Sequence, residues 1–507
     1  MSEPLLSSHK AGKAHKAHKA HKAGKAGKAR KVIPIQPVAA AQGAAAGAQD
    51  VEVSLYAAHQ KVYPRTVSGL FSSWRWALVW LTQIVFYGLP WLEWGQRQAV
   101  LFDLAARRFY LFGLVLYPQD FIYLTGLLVI SALSLFLFTA LAGRLWCGYA
   151  CPETVYTEIF LWIERKVEGD RSARLRLDGA AFSLEKLVKK WFKHLLWLMV
   201  ALWTGFTFVG YFSPVRELGM DFLQTRMGSW EVFWVLFYGL ATYGNAGFMR
   251  EQVCKYMCPY ARFQSAMFDA DTMIVSYDET RGEPRGARSR SADPRALALG
   301  ECVDCTLCVQ VCPTGIDIRQ GLQYECIGCG ACADVCDTVM DKLGYPRGLV
   351  RYTTQNGMQH RWSRAQMLRR ALRPRVLVYS AILGLVCLAM AFSLAVRTPL
   401  KVDVVRDRVA LARIVEGGKL ENVYRLQVMN ATEETQHYRI TARGLPGLVL
   451  ASDPETRVGP AESRWVAVRL QLPYGSAAAG SHAVHFDVAE VGGTAHVSEK
   501  SVFIVPR

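Results

Sequence analysis

From Lys401 to Arg507 the sequence contains no cysteine, so that stretch can neither ligate a metal cluster nor depend on a disulfide. Nowhere in the chain is there a Gly-rich nucleotide-binding loop, so electrons must come from a separate reductase or a quinol rather than from a bound dinucleotide. Acids are nearly absent from the first 31 residues, where Glu3 stands against nine Lys or Arg. Such an arm can bind nucleic acid, but beside apolar helices it reads as a basic cytoplasmic tail, and no nucleic-acid partner is expected. No long apolar run precedes about Trp74, so no cleavable signal peptide is expected near Met1.

What the chain does have is apolar length. Of its 507 residues 51% are hydrophobic, and the net charge is +17. Five segments reach membrane-spanning length, at about 74–92, 119–143, 192–212, 229–248 and 375–396. The loops 144–191 and 249–375 carry nine and eighteen Lys or Arg, whereas 213–228 has only Arg216 and Arg226, offset by Glu217 and Asp221. Positive charge on the inner side then puts the N-terminus and both basic loops in the cytoplasm and residues 397–507 outside.

The tract "KAHKAHKAHKAGKAGKARK" has no apolar face to bury and reads as disordered. Residues 153–190 mix charge with apolar positions, as amphipathic helices at the inner surface would. Past Lys401, alternating runs such as "NVYRLQVMN" and "RWVAVRLQLP", separated by turn residues, predict an antiparallel sandwich of about seven strands.

Eight of the thirteen cysteines lie in two arrays, "CVDCTLCVQVCP" and "CIGCGACADVCD". Three thiolates of each array come from one tight turn, and the remote fourth crosses to the other cluster, as in two-cluster ferredoxins. The expected ligand sets are therefore Cys302, Cys305, Cys308 and Cys336 for one [4Fe–4S] cube, and Cys326, Cys329, Cys332 and Cys312 for the second. Zinc also takes thiolates, but two four-cysteine arrays in tandem suit cubes better. Asp337 follows Cys336 where bacterial ferredoxins carry Pro, which bears on loop shape rather than on ligation.

Two further pairs, Cys147 and Cys151 in "RLWCGYACP" and Cys254 and Cys258 in "REQVCKYMCP", follow the second and fourth apolar segments as an internal repeat. Positions i and i+4 share one helix face, so each pair is expected to present two thiols side by side, and all four meet if the two segments are neighbours. Soft thiolates favour Cu(I), zinc or an iron–sulfur centre. Arg144 and Arg250 are expected to meet lipid phosphate, with lowering of thiol pKa as the alternative; Cys387 is expected to fill a gap in the fifth span, and His194 to be a polar cap, with a haem or quinone partner as the alternative.

This combination resembles the cytochrome c oxidase accessory proteins of the CcoG/FixG/RdxA type, from about residue 60 to 507. The fold so implied is a polytopic α-helical membrane protein of about five spans, with a cytoplasmic bacterial-type two-[4Fe–4S] ferredoxin module and a C-terminal immunoglobulin-like β-sandwich. Its parts are a basic tail (1–73), a four-helix membrane region (74–259), the ferredoxin-like domain (260–373), a fifth helix (374–396) and a periplasmic sandwich (397–507).

The resemblance further implies a bacterial inner-membrane protein that reduces Cu(II) to Cu(I) for assembly of a cbb-type oxidase. Two [4Fe–4S] clusters are then its cofactors, and copper is a substrate or transient ligand at Cys147, Cys151, Cys254 and Cys258. Oxidase subunits or copper chaperones, membrane lipid, and a cytoplasmic or quinol donor are the expected partners. A quinol dehydrogenase serving a periplasmic acceptor, and a non-catalytic scaffold or redox sensor, are the competing readings.

Overall fold

The computed structural model describes residues 61–506 apart from 290–292, 294–295 and 408–411, so the Lys/Ala-rich tract and its histidines lie outside the described residues. The end of the tail assigned to 1–73 is not free. Arg65 N–H donates to Gln310 O (2.8 Å), the Tyr63 hydroxyl to Asp178 (2.6 Å), and Val62 packs toward Gly315.

The helices of the first half are α1 (Leu70–Gly88), α2 (Phe121–Ala142), α3 (Leu145–Tyr149), α4 (Pro152–Glu168), α5 (Arg171–Gly179), α6 (Leu184–Val209), α7 (Val215–Leu223), α8 (Ser229–Gly244) and α9 (Pro259–Met267). The second half adds α10 (Glu279–Gly282), α11 (Leu307–Gln310), α12 (Ala331–Leu343), α13 (Gln355–Gln359), α14 (Arg364–Ala371) and α15 (Pro374–Ala395). Three stretches, Pro118–Ala142, Leu184–Val209 and Pro374–Ala395, are helical, long and apolar enough to cross a membrane. The other two expected spans are helices of 19 (α1) and 16 (α8) residues, α8 running on into a π-helical turn at Asn245–Met249.

The third of the expected spans begins earlier than its apolar run. Ser183 caps α6 by accepting from Lys186 N–H (3.2 Å), and the first turns, expected to be a separate amphipathic helix, belong to the same rod. Their charges have partners on α4: Lys190 and Lys193 each lie 3.0 Å from Glu168, and Lys193 lies 3.7 Å from Glu164. Further along, α6 and α8 touch through small residues. A Cβ on Gly205 would lie 2.3 Å from Val235 O, and one on Gly239 would lie 3.0 Å from the Leu202 side chain, so only glycine permits this approach.

All five long helices run between the same two ends. At one end α1 begins on Asp334 of α12, α2 finishes with Ala140 O accepting from Arg373 (2.6 Å), and α15 begins. At the other end Tyr87 of α1 meets Thr204 of α6 (2.8 Å), Tyr123 of α2 meets Ser393 of α15 (3.1 Å), and the β-sandwich follows.

The sandwich has two antiparallel sheets. In one, Val449–Leu450, Ser463–Pro473, Lys419–Asn430 and Leu400–Arg406 are neighbours in that order, with Arg413–Val415 also on Lys419–Asn430. In the other the order is Glu455–Val458, Gln436–Arg443, Gly480–Glu490, His496–Val505. Alternation puts Tyr424, Leu426, Val428, Leu470, Phe486 and Phe503 in a fully buried core between them. That makes nine strands against about seven expected, the additions being short edge pieces.

A second element was not visible in the sequence. Val100–Asp103, Arg108–Leu111 and Leu114–Leu116 form a small sheet between α1 and α2. It buries Leu101, Tyr110 and Val115 with Met429 and Ala461 of the sandwich. The Tyr117 hydroxyl donates to Asn430 O at 2.9 Å, so the sandwich is seated on this sheet.

Candidate functional site

The ferredoxin-like part is built on a two-stranded antiparallel pair, Ile274–Tyr277 with Val350–Thr353, and on α12. Its two cysteine turns are equivalent. Gly328 and Gly330 of the second have φ of 65° and 73°, and the matching positions of the first, Asp304 and Thr306, have φ of 50° and 56°. Gly330 also lies under Phe71, where a Cβ would fall 2.8 Å from the ring. A β-branched residue at positive φ is costly. Thr306→Gly is therefore expected to stabilise the first turn by a few tenths to about 1 kcal/mol, and Gly330→Thr to destabilise the second by about 1–3 kcal/mol. Thermal loss of cluster absorbance under anaerobic conditions reads both changes. Asp337 accepts Gly348 N–H (2.8 Å), a tie that shapes the segment after α12.

The turns place the eight cysteines around two cavities. Cys302, Cys305, Cys308 and Cys336 line one, with about 390 Å³ of open space. Cys312, Cys326, Cys329 and Cys332 line the other, with about 350 Å³, and Cys308 borders both. Among the described residues no three His, Cys, Asp or Glu side chains converge on a single ion position. Thiols standing around a space, rather than on a point, fit a group with volume such as a cube. A tetrahedral zinc site would instead hold its sulfurs about 3.8 Å apart.

Burial, then crowding by the other cysteines, pushes Cys336 up to about 12 and, with Asp317 adding to it and Arg319 opposing it, Cys308 up to about 11. Burial also pushes Cys326 up to about 12 and raises Cys329 and Cys332. Without a bound cation these are neutral thiols, and a metal cluster supplies the charge that makes them thiolates. The two sets differ in surroundings. Cys305 is exposed, whereas Cys329 is buried beside the buried Arg75, and Arg144 lies near Cys326.

The membrane-edge cysteines do come together, though not as the helix-face argument expected. Cys147 lies in α3 but Cys151 is the extended residue before α4. Cys254 lies in a π-helical turn, Val253–Met257, and Cys258 is the extended residue before α9. Pro152 and Pro259 are the cause, because proline bars the helical conformation in the residue before it and suits the first helical position. Each pair thus straddles a helix break. Burial followed by repulsion from the other thiols pushes Cys147 and Cys254 up to about 12, and Cys151 is also raised. The four thiols are thus electrostatic neighbours, and Cys147 and Cys254 belong to one apolar enclosure.

That enclosure touches the second ferredoxin set. Gly148 lies so close that a Cβ would meet Cys329 Cα at 2.8 Å and Ile327 O at 2.9 Å. Cys147 and Cys254 pack with Val67, Val311, Ile327 and Ala331. Gln264 of α9, fully buried, accepts from Cys147 Sγ at 3.6 Å through Oε1 and stands beside the Tyr260 hydroxyl. No sequence pattern singles out Gln264.

Three expectations for neighbouring residues are corrected. Arg144 does not reach out to lipid: it is 4% exposed and donates to the carbonyls of Tyr324 and Ala261, tying α3 to the approach of Cys326 and to α9. Arg250, 8% exposed, pairs with Glu164 at 3.0 Å and lies over Trp197. The folded ferredoxin-like part and α4 offer both guanidiniums oxygens nearer than any headgroup. Cys387 is exposed on α15 rather than packed. His194 has a protein partner, the Tyr243 hydroxyl at 2.9 Å, and stacks on Phe248.

Known families and relatives match this layout. A 4Fe-4S dicluster domain matches residues 249–355, a 4Fe-4S binding domain residues 124–168, and the immunoglobulin-like fold found at the C-terminus of FixG residues 390–506. Protein RdxB of Cereibacter sphaeroides is 39% identical over 86% of this chain and 93% of its own length. Nitrogen fixation protein FixG of Rhizobium meliloti is 36% identical over 78% of this chain and 82% of its own. Protein RdxA of Cereibacter sphaeroides is 39% identical over 78% and 84%. The two kinds of cluster domain and the apolar helices together support a membrane iron–sulfur electron-transfer role. With both ferredoxin-type domains, the FixG-type sandwich and this identity over most of its length, the chain belongs to the FixG/CcoG/RdxA family.

Proposed function

We propose that the chain carries single electrons to Cu(II), reducing it to Cu(I) for delivery during assembly of a cbb-type cytochrome c oxidase. In this reading Cys302, Cys305, Cys308 and Cys336 hold one [4Fe–4S] cube and Cys312, Cys326, Cys329 and Cys332 a second. When bound, these groups supply reversible one-electron chemistry. The exposed Cys305 marks the side where a cytoplasmic one-electron carrier, or a reductase fed by quinol, gives up its electron. Cys147, Cys151, Cys254 and Cys258 form the exit, where a soft thiolate surrounding favours Cu(I) over Cu(II). Arg144 fixes that exit against the second set, and the apolar wall of Val311, Ile327 and Ala331 keeps water out.

The observation that carries this reading is the backbone contact of Gly148 with Cys329, which joins the exit to a cluster-binding turn. Five helices crossing a bacterial inner membrane would put the ferredoxin-like part in the cytoplasm and the sandwich in the periplasm, able to meet oxidase subunits or copper chaperones. The arrangement of the two parts at opposite ends of the helices and the basic loops 144–191 and 249–375 support that topology. The apolar faces of α1, α2, α8 and α15 are then the lipid contact.

The test is Cu(II) reduction by the anaerobically purified, chemically reduced protein. One Cu(I) per electron is expected from the wild type and none above background from the quadruple replacement of Cys147, Cys151, Cys254 and Cys258 by Ser. Reduction that survives this replacement removes the thiolate exit, and quinol oxidation at full rate without copper favours the dehydrogenase reading instead.

A further inference from the structure

The cysteines outnumber what two cubes need. The dicluster match at 249–355 contains ten: the eight array cysteines plus Cys254 and Cys258. The separate 4Fe-4S binding match at 124–168 contains only Cys147 and Cys151, half of what a cube takes. One from each match, Cys147 and Cys254, pack in a single apolar group, and Cys151 and Cys258 follow them four residues on, at the starts of α4 and α9. We propose that Cys147, Cys151, Cys254 and Cys258 together hold a third [4Fe–4S] cluster, toward which Gln264 donates from Nε2.

Three observations support this assignment. The four thiols match in kind and number what one cube takes. The walls are apolar, from Val67, Val311, Ile327 and Ala331, and Cys147 and Cys254 are part of that packed group. Gln264 is fully buried with its carboxamide against Cys147 and near the Tyr260 hydroxyl; a Cys147 thiolate no longer donates to Oε1, so the amide turns Nε2 toward that sulfur. A thiolate or cluster sulfur beside Cys147 is an acceptor for that N–H. Hydrogen bonds to cluster sulfurs are among the means by which a protein sets the potential, which makes Gln264 a positioning residue for this centre.

The inference deepens the reading of the chain as an electron carrier, for copper would then collect its electron from this third centre instead of residing among the thiols. The full chain, purified anaerobically in detergent without copper, is expected to contain about 12 iron and about 12 acid-labile sulfides. The quadruple Ser replacement is expected to keep about eight of each. In Gln264→Leu the iron count stays unchanged while the paramagnetic resonance signal lost in the quadruple variant titrates at a lower potential; Gln264→Asn partly restores it. About eight iron in the wild type overturns the proposal without recourse to any variant, as does a zinc or copper ion, or two disulfides, found on these four cysteines. Eight iron with Cu(II) reduction intact removes the third cluster alone, whereas 12 iron without Cu(II) reduction removes the cupric function alone.

Discussion

Replacing Gly148 by alanine is expected to bring Cu(II) reduction close to background although no cysteine is touched. The added methyl would fall 2.8 Å from Cys329 Cα, 2.9 Å from Cys329 N and 2.9 Å from Ile327 O, all of them backbone atoms that cannot rotate away. Either α3 moves, carrying Cys147, or the turn moves, carrying Cys329. Arg144 opposes the first by its hold on Tyr324 O and Ala261 O, and the Tyr352 hydroxyl opposes the second by donating to Gly328 O at 2.6 Å. Overpacking of this kind costs about 1–3 kcal/mol. A shift of about 1 Å at a reacting centre costs about 100-fold in rate. The matched control is Gly179→Ala at the end of α5, where an added Cβ meets nothing within 4 Å. If Gly148→Ala reduces Cu(II) at the wild-type rate and keeps its full iron, the contact is not the route between the two sites.

The contrast between the two cysteine systems shows what a sequence can carry. In the ferredoxin arrays the geometry is local: three thiols on one turn, with Gly328 and Gly330 supplying positive φ, are written in seven consecutive residues. The crossing of Cys312 and Cys336 follows from one family-wide rule, and Cys336 lines the cavity of the first turn and Cys312 that of the second. The membrane-edge cysteines depend instead on tertiary placement. Their repeat is visible, but placing each pair on one helix face leaves out Pro152 and Pro259, whose effect is to break the helix between the paired thiols.

Burial of Arg144 and Arg250 required knowing that folded segments cover the ends of α2 and α8, which no local pattern states. The same holds for the start of α6. Hydropathy places it near residue 192, whereas ion pairs with Glu164 and Glu168 draw eight more residues, four of them charged, into the rod. The sandwich was readable because alternation survives in long strands. The sheet at 100–116 was not, because strands of three or four residues are too short to show a period.

Removing the carboxylate of Asp120 is expected to loosen the sandwich from the helices while leaving the iron in place. Asp120 precedes α2 and is buried, with Arg397 at 2.7 Å and Lys401 at 3.3 Å, and it also accepts Tyr117 N–H at 3.1 Å. Arg397 follows α15 with its side chain buried and also donates to Val115 O at 2.7 Å. Asp120→Ala therefore strands a desolvated cation, a change that costs about 3–5 kcal/mol. The cysteine sites lie past the far end of α2, a 22-residue helix about 33 Å long, so iron content and cluster absorbance should not change. What should change is protease sensitivity around residues 396–400 and the thermal midpoint of the sandwich. If the cost comes from the stranded charge rather than from lost attraction, Asp120→Ala combined with Arg397→Met should recover most of it, since a buried pair replaced by apolar groups is often neutral. If the double variant proves as unstable as the single one, the pair holds the two parts together by its own bond, and the small sheet with Tyr117 contributes less than its buried area implies.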